Sequence, residues 1–137
     1  MAKSLSGSTS TALILFAHGS RDPEWAQPFR RIQAAMRIRR PGATVKLAFL
    51  EMMKPTLDAA VSELAACGHA RITVAPLFMA QGAHLKNDLA RILGAIRADH
   101  PQIEIALLPA IGETEAITNA IADWLVASTT SSNVKYP

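Results

Sequence analysis

Four short apolar segments of this chain, at residues 11–17, 44–50, 71–77 and 103–108, alternate with segments of helical apolar spacing. The first, TALILFA, shows no alternation of polar and apolar residues, which is typical of a strand buried on both faces. Strands that are separated by whole helices run parallel, and their crossovers are right-handed. The order βαβαβαβα therefore predicts a sheet of four parallel strands.

The intervening segments each carry the apolar stripe of an amphipathic helix. Asp22 and Pro23 predict the start of the first helix, Pro55 is predicted to open the second, and Gly68 to end it. The predicted apolar faces are Trp25, Phe29, Ile32 and Met36; Leu57, Val61 and Leu64; Leu85, Leu89, Ile92 and Ile96; and Ile117, Ile121, Trp124 and Leu125. Helices on both faces of the sheet predict a three-layer α/β sandwich, for which we expect the flavodoxin-like strand order 2-1-3-4.

The length of 137 residues predicts one domain, and 50% apolar residues exclude a disordered chain. Only 18% of the residues are charged, which indicates much buried surface, a subunit interface, or both. The first and last ten residues are small and polar. We therefore expect flexible tails at 1–10 and 128–137 around a single α/β domain at 11–127.

Charge and cysteine content narrow the possible partners and the compartment. A net charge of +3 suits an acidic small molecule, and with 5% aromatic residues it argues against nucleic acid as the partner. The single cysteine, Cys67, excludes an internal disulfide and predicts a reducing, cytoplasmic location. The apolar run 12–17 is too short for a membrane span or the core of a signal peptide.

Three side chains suited to metal binding or proton transfer follow the predicted strands. In open parallel sheets, ligands bind beyond the carboxyl ends of the strands, where the strand order reverses. His18 follows the first strand, Glu51 the second, and His84 the loop after the third. Imidazole and carboxylate bind divalent metals and accept protons. Each residue also has a structural interpretation: a loop hydrogen bond for His18, a surface position for His84, and a helix-flanking acid for Glu51.

Cationic side chains lie within three residues of these candidates. Arg21, Lys54 and Lys86 are suited to hold carboxylates or phosphates, although solvated surface charge is the commoner role. The chain has no G-x-G-x-x-G after its first strand and no P-loop, which argues against a nucleotide, and it lacks the G-x-S-x-G of serine hydrolases.

Three separated motifs resemble those of the short sirohydrochlorin chelatases, the CbiX type of class II chelatase. They are residues 18–23 (HGSRDP), 48–51 (AFLE), and 76–78 (PLF) with 82–88 (GAHLKND). The resemblance spans about residues 11–127 and implies a flavodoxin-like chelatase fold, a homodimer, and no requirement for ATP. It also implies insertion of Co²⁺, Fe²⁺ or Ni²⁺ into sirohydrochlorin or a related tetrapyrrole, on routes to cobalamin, siroheme or a nickel cofactor.

The resemblance implies a role for particular residues in each motif. His18 and His84 match the two histidines that bind metal and assist deprotonation, and Glu51 matches the acidic residue near them. The expected substrate-binding residues are Ser20, Arg21, Lys54, Gly82 and Lys86. Ala17 and Ala83 stand where many relatives have glycine, and both replacements are small.

The metal and the reaction stay open at this point. We expect a chelatase, with Co²⁺ as the first metal and Fe²⁺ or Ni²⁺ as alternatives. The competing hypotheses are a non-catalytic tetrapyrrole or metal carrier on the same fold, and a metal-dependent hydrolase that uses His18, Glu51 and His84.

Overall fold

A parallel sheet of four strands with the order β2-β1-β3-β4 forms the centre of the computed structural model, which describes residues 11–130 and 134–137. The strands are β1 (Thr11–Ala17), β2 (Thr44–Phe49), β3 (Arg71–Pro76) and β4 (Glu104–Leu107). The helices are α1 (Gln27–Arg39), α2 (Leu57–Ala66), α3 (Ala83–Asp99) and α4 (Glu115–Thr129). The predicted fold class and strand order are confirmed.

Two apolar cores lie on opposite faces of the sheet. Successive side chains of a strand point to opposite faces, so a strand that is covered twice must be apolar throughout. In β1, Ile14 and Phe16 enter the core formed with α2 and α3. Leu15 and Ala17 enter the core on the side of α1. The unbroken apolar run of the first strand is thereby explained.

Helix starts differ locally from the predicted ones. Asp22 accepts a hydrogen bond from the Glu24 amide at 3.0 Å, as expected of a cap, but the first turn is a 3₁₀ turn, Pro23–Ala26. Pro55 does not open the second helix. Thr56 caps it instead, because its hydroxyl accepts a hydrogen bond from the Ala59 amide at 3.2 Å.

Helix α4 leaves its predicted apolar face largely uncovered. Trp124 is 66% exposed and Leu125 47%, while Ile117 and Ile121 are half-buried. Neither core includes a residue of α4, because the helix packs mainly against the 3₁₀ turn that precedes it, Ile111–Glu113. The pattern predicted the helix correctly, but its apolar face does not pack on the sheet of the same chain.

At its C-terminal end, the folded part of the chain reaches slightly beyond the expected domain. The expected tail at 1–10 lies outside the described residues, as do residues 131–133 of the expected C-terminal tail. Helix α4 continues to Thr129, two residues beyond the expected end of the domain. Within the described ranges, no helix combines the length and hydropathy needed to cross a bilayer.

Truncation of Phe16 tests the core assignment. The ring is fully buried and meets Phe78 edge to face, with ring centroids 5.7 Å apart. We expect Phe16→Ala to lower the free energy of unfolding by about 3–5 kcal/mol, measured by urea denaturation at fixed protein concentration. Ile38→Ala, at a side chain that is 78% exposed, should change it by about 0.5 kcal/mol or less. Equal effects of the two substitutions would contradict the assignment.

Candidate active site

His18 and Glu51 lie side by side at the carboxyl ends of β1 and β2. Two backbone hydrogen bonds join the chain segments at these strand ends: the Leu50 amide donates to the Ala17 carbonyl at 2.9 Å, and the Glu51 amide donates to the His18 carbonyl at 3.0 Å. His18 Nε2 is 2.9 Å from Glu51 Oε1, and both side chains are 50% exposed. The structure thus brings together two candidates that are 33 residues apart in the chain.

The hydrogen bond between these side chains determines which imidazole nitrogen is free. An ionised carboxylate only accepts hydrogen bonds, so Nε2 of His18 carries the hydrogen that it donates to Glu51. In the neutral ring, Nδ1 then keeps the lone pair. The buried Phe78 ring lies edge-on to His18, with centroids 6.3 Å apart. The contact with Glu51 therefore leaves the Nδ1 lone pair of His18 able to accept a proton or to bind a cation.

Gly19 allows the two loops to approach each other. Its φ of +99° lies in the left-handed region, and a Cβ at this position would stand 1.8 Å from the Glu51 carbonyl oxygen. The neighbour that requires a glycine at this position is therefore the Glu51 backbone. Ser20 completes the turn, because its hydroxyl accepts a hydrogen bond from the Asp22 amide at 3.1 Å.

His84 is the second residue of α3 and is exposed, at the same sheet edge as His18 and Glu51. In the described part of the chain, no group of three His, Cys, Asp or Glu side chains is assembled so that it could hold one metal ion. The structure thus joins His18 to Glu51 and leaves His84 outside that contact.

The remaining predicted binding residues line the same edge in different settings. Arg21 and Lys54 are exposed, after β1 and β2 respectively. Gly82 is the N-cap residue of α3 and has no side chain with which to cap the helix. Lys86 lies in the first turn of α3, where Nζ is 3.5 Å from Glu113 Oε2.

Glu113 is a residue of this edge that the sequence interpretation missed. Its other carboxylate oxygen, Oε1, accepts a hydrogen bond from Gln81 Nε2 at 3.3 Å. The position of Glu113 just after the fourth predicted strand was the available signal, because the carboxyl ends of parallel strands share one edge.

The candidate site is an open surface of one chain. A cavity of about 740 Å³ lies elsewhere, at the amino ends of the strands, where Leu13, Gly42 and Thr73 contribute to its wall. None of the predicted site residues lines that cavity. Chemistry at His18 and Glu51 would therefore take place on a half-exposed edge unless another surface covers it.

Comparison with known proteins finds proteins that are similar in sequence and others that are similar in structure. The CbiX family model matches residues 12–127. A sirohydrochlorin cobaltochelatase of Saccharolobus solfataricus is 37% identical over 111 residues, which are 77% of this chain and 85% of that protein.

Solved structures share the fold. A putative cobalamin biosynthesis CbiX protein from Marinobacter aquaeolei superposes with a TM-score of 0.78 at 29% identity, over 88% of this chain and 98% of that one. The chelatase SirB of Bacillus subtilis, in structures with Fe³⁺ and with cobalt, gives TM-scores of 0.72 at 22% and 23% identity. The matches cover 92% and 85% of this chain but only 48% and 50% of SirB.

Substitution of Gly19 tests the close approach of the loops. Gly19→Ala would combine a left-handed backbone with a clash against the Glu51 carbonyl. We expect the free energy of unfolding to fall by about 1–3 kcal/mol or more. The matched control is Gly42→Ala, because a Cβ there meets nothing within 4 Å. A Gly19→Ala variant as stable as the control would show that the two loops do not pack as described.

Proposed function

The chain belongs to the CbiX family, and on this premise we propose that it is a chelatase that inserts a divalent metal ion into sirohydrochlorin without ATP. The observation that carries the proposal is the 2.9 Å contact between His18 and Glu51 at the carboxyl edge of the sheet. The sirohydrochlorin cobaltochelatase of Saccharolobus solfataricus, at 37% identity, supports both the substrate and the reaction.

The reaction requires a metal carrier and proton acceptors on the same edge. The free macrocycle carries two inner N–H groups, and entry of a divalent metal releases two protons. We assign His18 Nδ1 to bind the metal or to take a proton, with Glu51 holding the ring through Nε2. Glu51 also has a second oxygen that can accept a proton or ligate the metal. His84, at the start of α3, is the proposed second histidine of the reaction.

Cationic and small residues around this pair are proposed to bind the substrate. Sirohydrochlorin is rich in carboxylates. Arg21 and Lys54 place positive charge in the loops after β1 and β2, and Lys86 does so in the first turn of α3. Ser20 in the loop after β1 and Gly82 at the N-cap of α3 are proposed as close backbone neighbours of the macrocycle.

Co²⁺ is the proposed metal, because the relative that supports the substrate is named for cobalt insertion. Imidazole and carboxylate also bind Fe²⁺ and Ni²⁺, so the same assay includes these two metals. The product is proposed to serve the synthesis of cobalamin or of siroheme. The absence of nucleotide motifs supports a reaction without ATP. The cytoplasmic location stays a prediction.

Replacement of the histidines tests the function directly. We expect His18→Ala and His84→Ala to slow metal insertion by about 100-fold or more, since a positioned acid or base contributes at least that much. Anaerobic absorbance spectroscopy of sirohydrochlorin with Co²⁺, Fe²⁺ or Ni²⁺, in buffer free of ATP, measures the conversion. His100→Ala is the control, because His100 pairs with Ser62 at 3.3 Å, away from the site.

Other outcomes of this assay identify the competing functions. A bound but unconverted spectrum with every metal would indicate a tetrapyrrole carrier. No spectral response, combined with metal-dependent turnover of a phosphate or ester, would indicate a hydrolase.

We also propose that two copies form the working enzyme. Trp124 and Leu125 of α4 and Leu107 and Leu108 of the β4 edge are all more than 40% exposed, which leaves apolar surface uncovered in one chain. One chain corresponds in fold to about half of SirB. A second copy would supply the covering surface that the half-exposed His18 edge lacks.

Oligomeric state is tested at the exposed helix face. The wild-type chain should have twice the monomer mass of 14.7 kDa by light scattering after gel filtration. We expect Trp124→Glu to shift the mass to that of the monomer, because it places charge in an apolar contact. Asn119→Glu, on the same helix but away from the Trp124 face, should remain dimeric. A monomeric wild-type chain at micromolar concentration would exclude the dimer.

A further inference from the structure

Glu113 pairs with Lys86, one of the cationic side chains that the proposed function assigns to substrate binding. Lys86 lies two residues beyond His84, in the first turn of α3, and its Nζ is 3.5 Å from Glu113 Oε2. Oε1 of the same carboxylate accepts a hydrogen bond from Gln81 at 3.3 Å. A carboxylate of the protein therefore already pairs with a cation and an amide in the segment that carries the proposed catalytic histidine.

The backbone that carries Glu113 is held firmly against the loop after β3. The Gly112 amide donates to the Phe78 carbonyl at 3.0 Å, and a Cβ on Gly112 would lie 1.6 Å from the Met79 carbonyl oxygen. The Glu113 amide donates to the Ala110 carbonyl at 2.9 Å. The loop after β4 is thus fitted to the loop after β3, and this fit places the Glu113 carboxylate beside Lys86.

The ion pair itself is suited to exchange. Its distance of 3.5 Å is longer than the roughly 2.7–2.9 Å of a tight charge-assisted hydrogen bond. The Lys86 and Glu113 side chains are 56% and 44% exposed, and exposed pairs of this kind contribute little to stability. An incoming carboxylate can therefore take over Lys86 without disrupting the core.

We infer that Glu113 stands in for a substrate carboxylate at Lys86 and is displaced when a polycarboxylate macrocycle binds. The inference rests on the proposed function and deepens it, because it identifies Glu113 as a specificity-determining residue. Glu113 competes with the substrate for Lys86, so it weakens the binding of acidic macrocycles. Macrocycles without a carboxylate at this position neither displace it nor feel the competition.

A binding titration without metal tests this competition. The probe is metal-free sirohydrochlorin, and its absorbance change gives the Kd. Glu113→Gln keeps the size of the side chain but removes its charge, and we expect the Kd to fall by about two- to fivefold. Glu115→Gln is the matched control, because it removes the same charge two residues later, from an exposed position in the first turn of α4. Its Kd should equal that of the wild-type chain.

A double substitution separates competition from general charge. Lys86→Met should weaken binding, and Glu113→Gln should have no further effect in the Lys86→Met background, because the competition acts through that lysine. A methyl-esterified porphyrin, which carries no carboxylates, should bind the wild-type chain and Glu113→Gln equally.

Three results overturn the inference. Weaker binding by Glu113→Gln would mean that Glu113 positions Lys86 for the substrate, and equal tightening by Glu115→Gln would mean that only overall charge matters. Unchanged binding by Glu113→Gln, with normal wild-type binding, overturns the inference and leaves the proposed function intact. Failure of the wild-type chain to bind sirohydrochlorin overturns the proposed function itself.

Discussion

Backbone hydrogen bonds join the end of β1 and the residue after it to the residues that follow β2, and the arrangement of the site depends on them. These two hydrogen bonds join Ala17 to Leu50 and His18 to Glu51. They are possible because Gly19 leaves the space beside the Glu51 carbonyl empty. The side chains of His18 and Glu51 therefore meet at 2.9 Å as a consequence of strand register, which orients them before any substrate binds.

All four strands bring residues to this edge. His18 follows β1, Glu51 follows β2, Phe78 backs the His18 ring from the loop after β3, and Glu113 reaches Lys86 from the loop after β4. A parallel sheet delivers its loops to one edge regardless of their separation in the chain. The edge therefore gathers imidazole, carboxylate and ammonium groups on a rigid support.

The coverage of the sheet is uneven, and this is the structural basis of the proposed dimer. The two cores bury β1 and most of β2 and β3, whereas β4 and the apolar face of α4 stay exposed. A single chain leaves the Trp124 side chain exposed and the His18 side chain half-exposed. In the proposed dimer, a second copy is expected to cover both, since burial of apolar area drives association and a covered site excludes water.

The sequence by itself determined the elements, the strand order and the identity of the catalytic candidates. Apolar periodicity is a local property, so β1 was predicted with its observed bounds and α4 was recognised as an amphipathic helix. Only the tertiary structure decided how distant loops meet: the pairing of His18 with Glu51, the contact of Glu113 with Lys86, and the exposure of Trp124. These features depend on register, on backbone approach at Gly19 and Gly112, and on which surfaces remain uncovered, and no local pattern encodes them.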